Sequence, residues 1–163
     1  PAPFETTFFM ILGAMSCYLE SRSLAAQLFG DHAPADEEDW VDAYQSITSA
    51  PASRRAAHLR ILKDGRGHLP VCSGTPEKLT GCALGVVEGD TIGLYDIAVR
   101  PDERRQGLAS ALIGALLNAG RERGASCAYL QVTEANVAAR RLYARFGFEE
   151  LYRYWYRQRP TTA

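Results

Sequence analysis

The chain lacks the glycine patterns of two familiar nucleotide-binding loops. No Gly-x-x-x-x-Gly-Lys-Ser/Thr string occurs, and Gly107 has no glycine partners at the spacing of a dinucleotide fingerprint. There is no Cys-x-x-Cys pair and no zinc-like spacing between the cysteines and His32, His58 or His68, so no metal is expected. An excess of either charge is also missing. Eighteen Lys and Arg against nineteen Asp and Glu leave a net charge of −1, which argues against a nucleic-acid binder with a broad basic footprint. The apolar run at residues 8–15 is flanked by Glu5, Glu20 and Arg22, is too short to span a bilayer, and has no basic leader, so neither a membrane partner nor export is expected. It reads as a strand, with an interface segment or the remnant of an upstream domain as alternatives. The first residue is Pro1 rather than Met, as processing or a truncated start would leave it. With free thiols and no export signal, the cytoplasm is the default compartment. No internal repeat or low-complexity tract is found.

What is there fits one domain over residues 1–163, with 1–34 an extension of open role: 47% of the chain is hydrophobic, enough for a packed core. Acid is loaded into a first helical turn at residues 36–39, and Trp40, Val41, Tyr44 and Ile47 then recur at helical spacing. Pro51 restarts a second helix through Lys63, which Gly65 can end. Strands are expected at about 69–73, 81–87 and 91–99, with a hairpin at 88–90. A helix at about 106–122, a strand at 128–133, a helix from Asn136 closed by Gly147, and a strand at 149–156 complete a mixed α/β fold (α+β) around a central, largely antiparallel sheet.

Two segments carry chemistry. The first, residues 100–110, follows an apolar run and reads Arg-Pro-Asp-Glu-Arg-Arg-Gln-Gly-Leu-Ala-Ser at the start of a helix. The first amides of a helix lack intrahelical acceptors and sit at the positive end of its dipole, so a phosphate placed there gains hydrogen bonds and a favourable field. Gly107 and Ala109 are small enough to let a pyrophosphate reach the backbone, and Arg104 and Arg105 can add charge-assisted contacts. An ordinary solvated strand-to-helix turn would read the same. In the second segment, residues 129–148, Asn136, Ala139, Arg140 and Tyr143 fall three or four apart and share a helix face. Taken alone, Tyr143 reads equally as a tyrosine at the edge of a core.

In order and at this separation, Arg104-Arg105-Gln106-Gly107-Leu108-Ala109 and Asn136, Ala139, Leu142, Tyr143, Gly147 and Phe148 resemble the GNAT superfamily of acyl-CoA-dependent N-acetyltransferases, closest in pattern to its ribosomal-protein N-terminal acetyltransferases. The resemblance runs from about Val86 to Tyr156 and weakly back to Trp40. It implies a GNAT-type sheet and transfer of an acetyl group from acetyl-CoA to a primary amine of a small molecule or a peptide or protein N-terminus, by direct attack. It further implies that the backbone of Ile97, Ala98 and Val99 pairs with the pantetheine amides, that the amides of Arg105, Gln106, Gly107, Leu108, Ala109 and Ser110 cradle the pyrophosphate with Arg104 beside them, and that Asn136 and Ala139 border the pantetheine. Tyr143 is then the group that protonates the departing sulfur, a sensible place for a phenol because a thiolate gathers charge as it leaves. Homodimers are common in this superfamily, which leaves a homodimer open.

The general base is not readable in the same way. A position that is Glu in similar ribosomal-protein acetyltransferases is Gln131, which takes no proton; Asp96 and Glu134 are the remaining candidates. Asp96 reads equally as an anchor for loop amides, and Glu134 as a charge placed at a helix start. Gln131 also supports the alternative of a non-catalytic acyl-CoA-binding regulatory domain, and a structural module without a ligand stays open. Cys17, Cys72, Cys82 and Cys127 read as packing thiols, since none has a cation or helix start beside it in sequence. The three histidines read as surface or loop residues. Trp40 and Tyr44, and Tyr152, Tyr154, Trp155 and Tyr156 near the end, are candidates for touching the acceptor, with core or sheet packing as the other reading.

Overall fold

Residues 127–133 show why these segments become strands. Ala128, Leu130 and Val132 are buried while Gln131 is exposed, the period of two required when one face of a sheet lies on a core. The computed structural model describes residues 6–14, 37–75 and 77–156. In chain order the elements are β1 (Thr6–Ala14), α1 (Glu37–Thr48), α2 (Ala52–Asp64), β2 (His68–Thr75), β3 (Lys78–Glu88), β4 (Thr91–Val99), a 3-10 turn (Pro101–Glu103), α3 (Leu108–Glu122), β5 (Cys127–Thr133), α4 (Val137–Arg145) and β6 (Phe148–Tyr156). Cys17 and His32 lie outside the described residues, as do the side chains of Trp155 and Tyr156.

The strands form one six-stranded sheet in the order β2-β3-β4-β5-β1-β6. Every neighbouring pair is antiparallel except β4 with β5. The expected mixed, largely antiparallel sheet is therefore the fold. The N-terminal segment is a strand, as its apolar run suggested, and its place is between β5 and β6, with Ile11 opposite Leu130 on one side and Glu150 on the other. Thus β6 joins the sheet through β1 rather than through β5, its neighbour in sequence.

Two cores cover the faces of the sheet. On one, Leu112, Ile113 and Leu116 of α3 pack with Ile92, Leu94 and Leu130, joined by Tyr143, Phe146 and Phe148. On the other, Trp40, Val41 and Ile47 of α1 and Leu62 of α2 pack with Cys72, Cys82 and Leu84. These are the apolar stripes of amphipathic helices turned toward a shared sheet. Among the described residues no helix is long and apolar enough to cross a membrane.

The ends of two helices differ from the sequence reading. α3 begins at Leu108 rather than at about 106, because Gly107 takes a left-handed φ of 84° as its cap. α4 begins at Val137, so Asn136 caps that helix instead of lying within it, and its side chain accepts a hydrogen bond from the amide of Ala139 at 3.2 Å. At the far end of α4, Gly147 carries a φ of 79°, as expected for a glycine that stops a helix.

Candidate active site

The site is organised by an interruption in β4. Its parallel pairing with β5 runs only from Thr91 opposite Cys127 to Leu94 opposite Leu130, and beyond that the two strands part. At the same level the ladder with β3 slips, passing from Leu84 opposite Tyr95 to Cys82 opposite Ala98 and leaving Ala83 without a register partner on β4. This is a bulge. Asp96 sits in it with a φ of 49°, a left-handed conformation uncommon for a residue with a side chain. The carbonyl of Ala83 accepts a hydrogen bond from Nε1 of buried Trp40 at 3.1 Å. A tryptophan from α1 thus satisfies a backbone group that the bulge leaves out of the ladder.

On one side of the bulge lies a cleft of about 730 Å³. Ile97, Ala98 and Val99 form its wall, and Arg104 and Ala109 border it at the start of α3. Asn136, Ala139 and Tyr143 border it from α4, and residues 46–49 at the end of α1 close another side. The two sequence segments singled out for chemistry therefore meet in one cavity. Gly107 stands in the open, with no atom within 4 Å of where a Cβ would be. The first intrahelical bond runs from the amide of Ala111 to the carbonyl of Gly107, so the amides of Leu108, Ala109 and Ser110 have no acceptor within the helix.

The turn before the helix is fixed by its own polar contacts. Arg104 donates from Nε to the carbonyl of Val99 at 3.3 Å, Gln106 donates to Glu103 at 3.2 Å, and Glu103 is also paired with Lys78. Arg105 adopts a φ of 68°. Gln106 and Arg105 are exposed, and Leu108 and Ser110 are half-buried in the first turn of α3. Tyr143 is 9% exposed, packs edge-on against Phe148 at a centroid distance of 6.0 Å, and faces the cleft. Burial pushes its phenol above the ordinary tyrosine value, which keeps the hydroxyl protonated near neutral pH.

The other side of the bulge opens into a second cavity of about 430 Å³ between α1, α2 and the sheet. Asp96 lines this one, together with Trp40, His58 and Tyr95. His58 Nε2 lies 3.7 Å from Asp96 Oδ2, and its ring meets Tyr44 edge-on at 5.0 Å. Burial, and then the nearby Asp96 carboxylate, push the Tyr44 phenol up to about 12. Tyr95 and Tyr129 are hydrogen-bonded to each other over Gly93, where a Cβ would stand 2.6 Å from the Tyr95 ring.

Of the two candidate bases, then, Asp96 faces a cavity. Glu134 lines neither one: it is exposed in the turn after β5 and paired with Arg153 of β6 at 3.6 Å. His58, read from sequence as a surface or loop residue, is instead enclosed by α1 and β4. The only signal for it was its place on the face of a helix that also carries Leu62. Burial raises the Cys72 thiol to about 12 and moves Cys82 in the same direction, which suits packing rather than nucleophilic chemistry. Among the described residues no group of three His, Cys, Asp or Glu is arranged to hold a metal ion.

Comparisons with known proteins identify the family and the fold. Residues 27–148 match the model of the acetyltransferase (GNAT) family. A ribosomal protein bS18-alanine N-acetyltransferase of Escherichia coli is 40% identical over 73 residues, covering 45% of this chain and 49% of that protein. The chain thus spans about half the length of the curated relatives it matches. The crystal structure of the ribosomal-protein-S18-alanine N-acetyltransferase from Escherichia coli superposes with a TM-score of 0.63 at 29% identity, covering 74% of this chain and 77% of that one. An aminoglycoside N-acetyltransferase crystallised with CoA shares the fold, with a TM-score of 0.58 at 21% identity over 72% of this chain and 92% of its own.

Proposed function

We propose that this chain, which belongs to the acetyltransferase (GNAT) family, is an N-acetyltransferase that moves an acetyl group from acetyl-CoA to a primary amine. The observation that carries the reading is the meeting of Arg104 and Ala109 on either side of the α3 start, the parted edge of β4 and Tyr143 in one cleft of about 730 Å³. The donor set suits CoA: exposed helix-start amides and Arg104 for the pyrophosphate, a strand edge for the pantetheine amides, and an open place above Gly107 where a side chain would intrude. Acetyl-CoA, when bound, supplies an activated acyl carbon and a thiolate leaving group.

The chain's own residues do the rest. Ile97, Ala98 and Val99 offer main-chain groups along the parted strand. The Nδ2 group of Asn136 stays available to donate toward the cleft while its Oδ1 caps α4. Tyr143, kept protonated by burial, gives its proton to the departing sulfur. Asp96, across the bulge, receives the ammonium of the acceptor. A peptide or protein N-terminus is the favoured acceptor class, in line with the activity named for the Escherichia coli relatives.

Two measurements test this. Calorimetry with acetyl-CoA should show binding at micromolar concentration. Thiol release should then be seen with at least one member of a panel of N-terminal peptides, amino acids, polyamines and aminoglycosides. Binding without release from any amine would instead favour a non-catalytic acyl-CoA-binding domain, the reading that Gln131 supports.

A further inference from the structure

In the second cavity the His58 imidazole is brought beside the Asp96 carboxylate, and nothing in the proposed reaction yet uses it. Its side chain is 19% exposed and that of Asp96 30%. Nδ1 is buried without a hydrogen-bond partner, so Nε2, facing Asp96 across 3.7 Å, is the ring nitrogen able to exchange protons with the cavity. The gap is wider than a hydrogen bond, and it closes naturally once either group carries a proton for the other. Tyr44 and Trp40 hold the ring edge-on from α1, at centroid distances of 5.0 and 6.4 Å. The imidazole is thereby fixed in orientation rather than free to sweep the cavity.

Resting on the transferase reading above, we propose that His58 is the catalytic base: it takes the proton of the acceptor ammonium at Nε2, and Asp96 holds a cation at each stage, first the ammonium and then the imidazolium. A carboxylate alone is poorly matched to an amine that must lose a proton near neutral pH, whereas imidazole titrates in that range. The ammonium gives one proton to His58, and the freed lone pair forms the C–N bond as the C–S bond breaks. Sulfur takes the Tyr143 proton, the second nitrogen proton restores Tyr143, and His58 passes its proton to water. The acceptor class that fits is an amine entering as its ammonium form, drawn to Asp96 beside the half-buried ring of Tyr95.

Other titratable or charged groups face this arrangement. Asp96 comes from β4 and Tyr44 from α1, Arg54 of α2 and Cys82 of β3 act on Tyr44, and Arg66, His68 and Glu88 lie along the same cavity. The test therefore reads His58 directly. In the full chain, the His58 ring proton resonance, assigned by its loss in His58→Gln, is titrated by NMR beside the pH profile of kcat/KM. The expected result has three parts. The rate rises with pH through the same midpoint as the resonance; His58→Gln removes that ionisation and lowers kcat/KM on the order of 100-fold; and Asp96→Asn moves the His58 resonance midpoint downward, because the imidazolium loses its counter-charge.

Persistence of the ionisation in His58→Gln, with an unchanged melting temperature, overturns the proposal, as does a His58 midpoint indifferent to Asp96→Asn. If the wild type turns over no amine at all, the transferase reading fails while the NMR arm still decides whether the two side chains are coupled.

Discussion

The two cavities flanking the β4 bulge are made of different material. The cleft toward α3 and α4 is bordered by the parted edge of Ile97, Ala98 and Val99, by the short side chains of Ala109 and Ala139, and by Arg104, Asn136 and Tyr143, with no titrating carboxylate or imidazole among them. The cavity toward α1 and α2 is built from titratable and aromatic side chains, with Asp96, His58, Trp40 and Tyr95 at its walls. In the proposed reading the first takes a ligand whose polar groups repeat along a chain, and the second takes the ammonium of the acceptor. A backbone cradle depends on local conformation, so it is sensitive to φ and to the presence of a Cβ. A side-chain cradle depends on distant elements docking together, so it is sensitive to whatever holds those elements in place.

Substitutions that strike one side alone separate these dependencies. The largest effect is expected from Tyr143→Phe, which should lower kcat on the order of 100-fold while leaving the calorimetric Kd for acetyl-CoA unchanged; a parallel loss of affinity would make the tyrosine a packing residue. Next, Trp40→Phe removes the donor that satisfies the Ala83 carbonyl in the bulge. A buried acceptor left alone costs about 1–3 kcal/mol, which lowers the melting temperature by several degrees and raises the acceptor KM with little change in acetyl-CoA affinity. Gly107→Val forces a β-branched residue into a φ of 84° at the proposed pyrophosphate position, and its expected mark is about a tenfold weaker Kd for CoA with the acceptor KM unaltered.

The smallest effect is one of pH. The Tyr44 phenol is raised to about 12 in the folded chain, first by burial and then by Asp96, so the folded state holds a proton that the unfolded chain gives up near 10. Stability is therefore fully present below pH 10 and declines as pH climbs toward 12. Denaturant midpoints across that window should fall less steeply in Tyr44→Phe.

The same division explains what the sequence made legible. The cleft was readable because its determinants are local: a glycine before a helix, small residues one turn along, and Asn136 and Tyr143 at helical spacing. Even there, the letters did not distinguish Asn136 inside a helix from Asn136 as its cap, since both place a polar amide at the same end. The second cavity was not readable in this way. Asp96 could be listed as a candidate, but its left-handed backbone and the bulge around it follow from how β3 and β5 pair with β4, and His58 comes near it only because α2 packs across the sheet. The setting of Glu134 was unreadable for a related reason: the turn after β5 brings it to Arg153 on β6, a partner placed there by strand pairing rather than by sequence proximity. The apolar run at residues 8–15 announced a strand, yet nothing in its alternation specified a slot between two strands that flank α4.

That slot has a consequence for how the polypeptide assembles. Strands β2, β3 and β4 are joined by successive hairpins, and β5 follows through one crossover helix, so their mutual contacts close short loops. The aromatic strand β6, by contrast, gains its place in the sheet only after the opposite extremity of the described chain has threaded in beside β5. Closing so long a loop carries the greatest entropic penalty of any pairing in the sheet. The half carrying the bulge is thus able to nucleate early, and the far edge docks as the slow, final event of refolding.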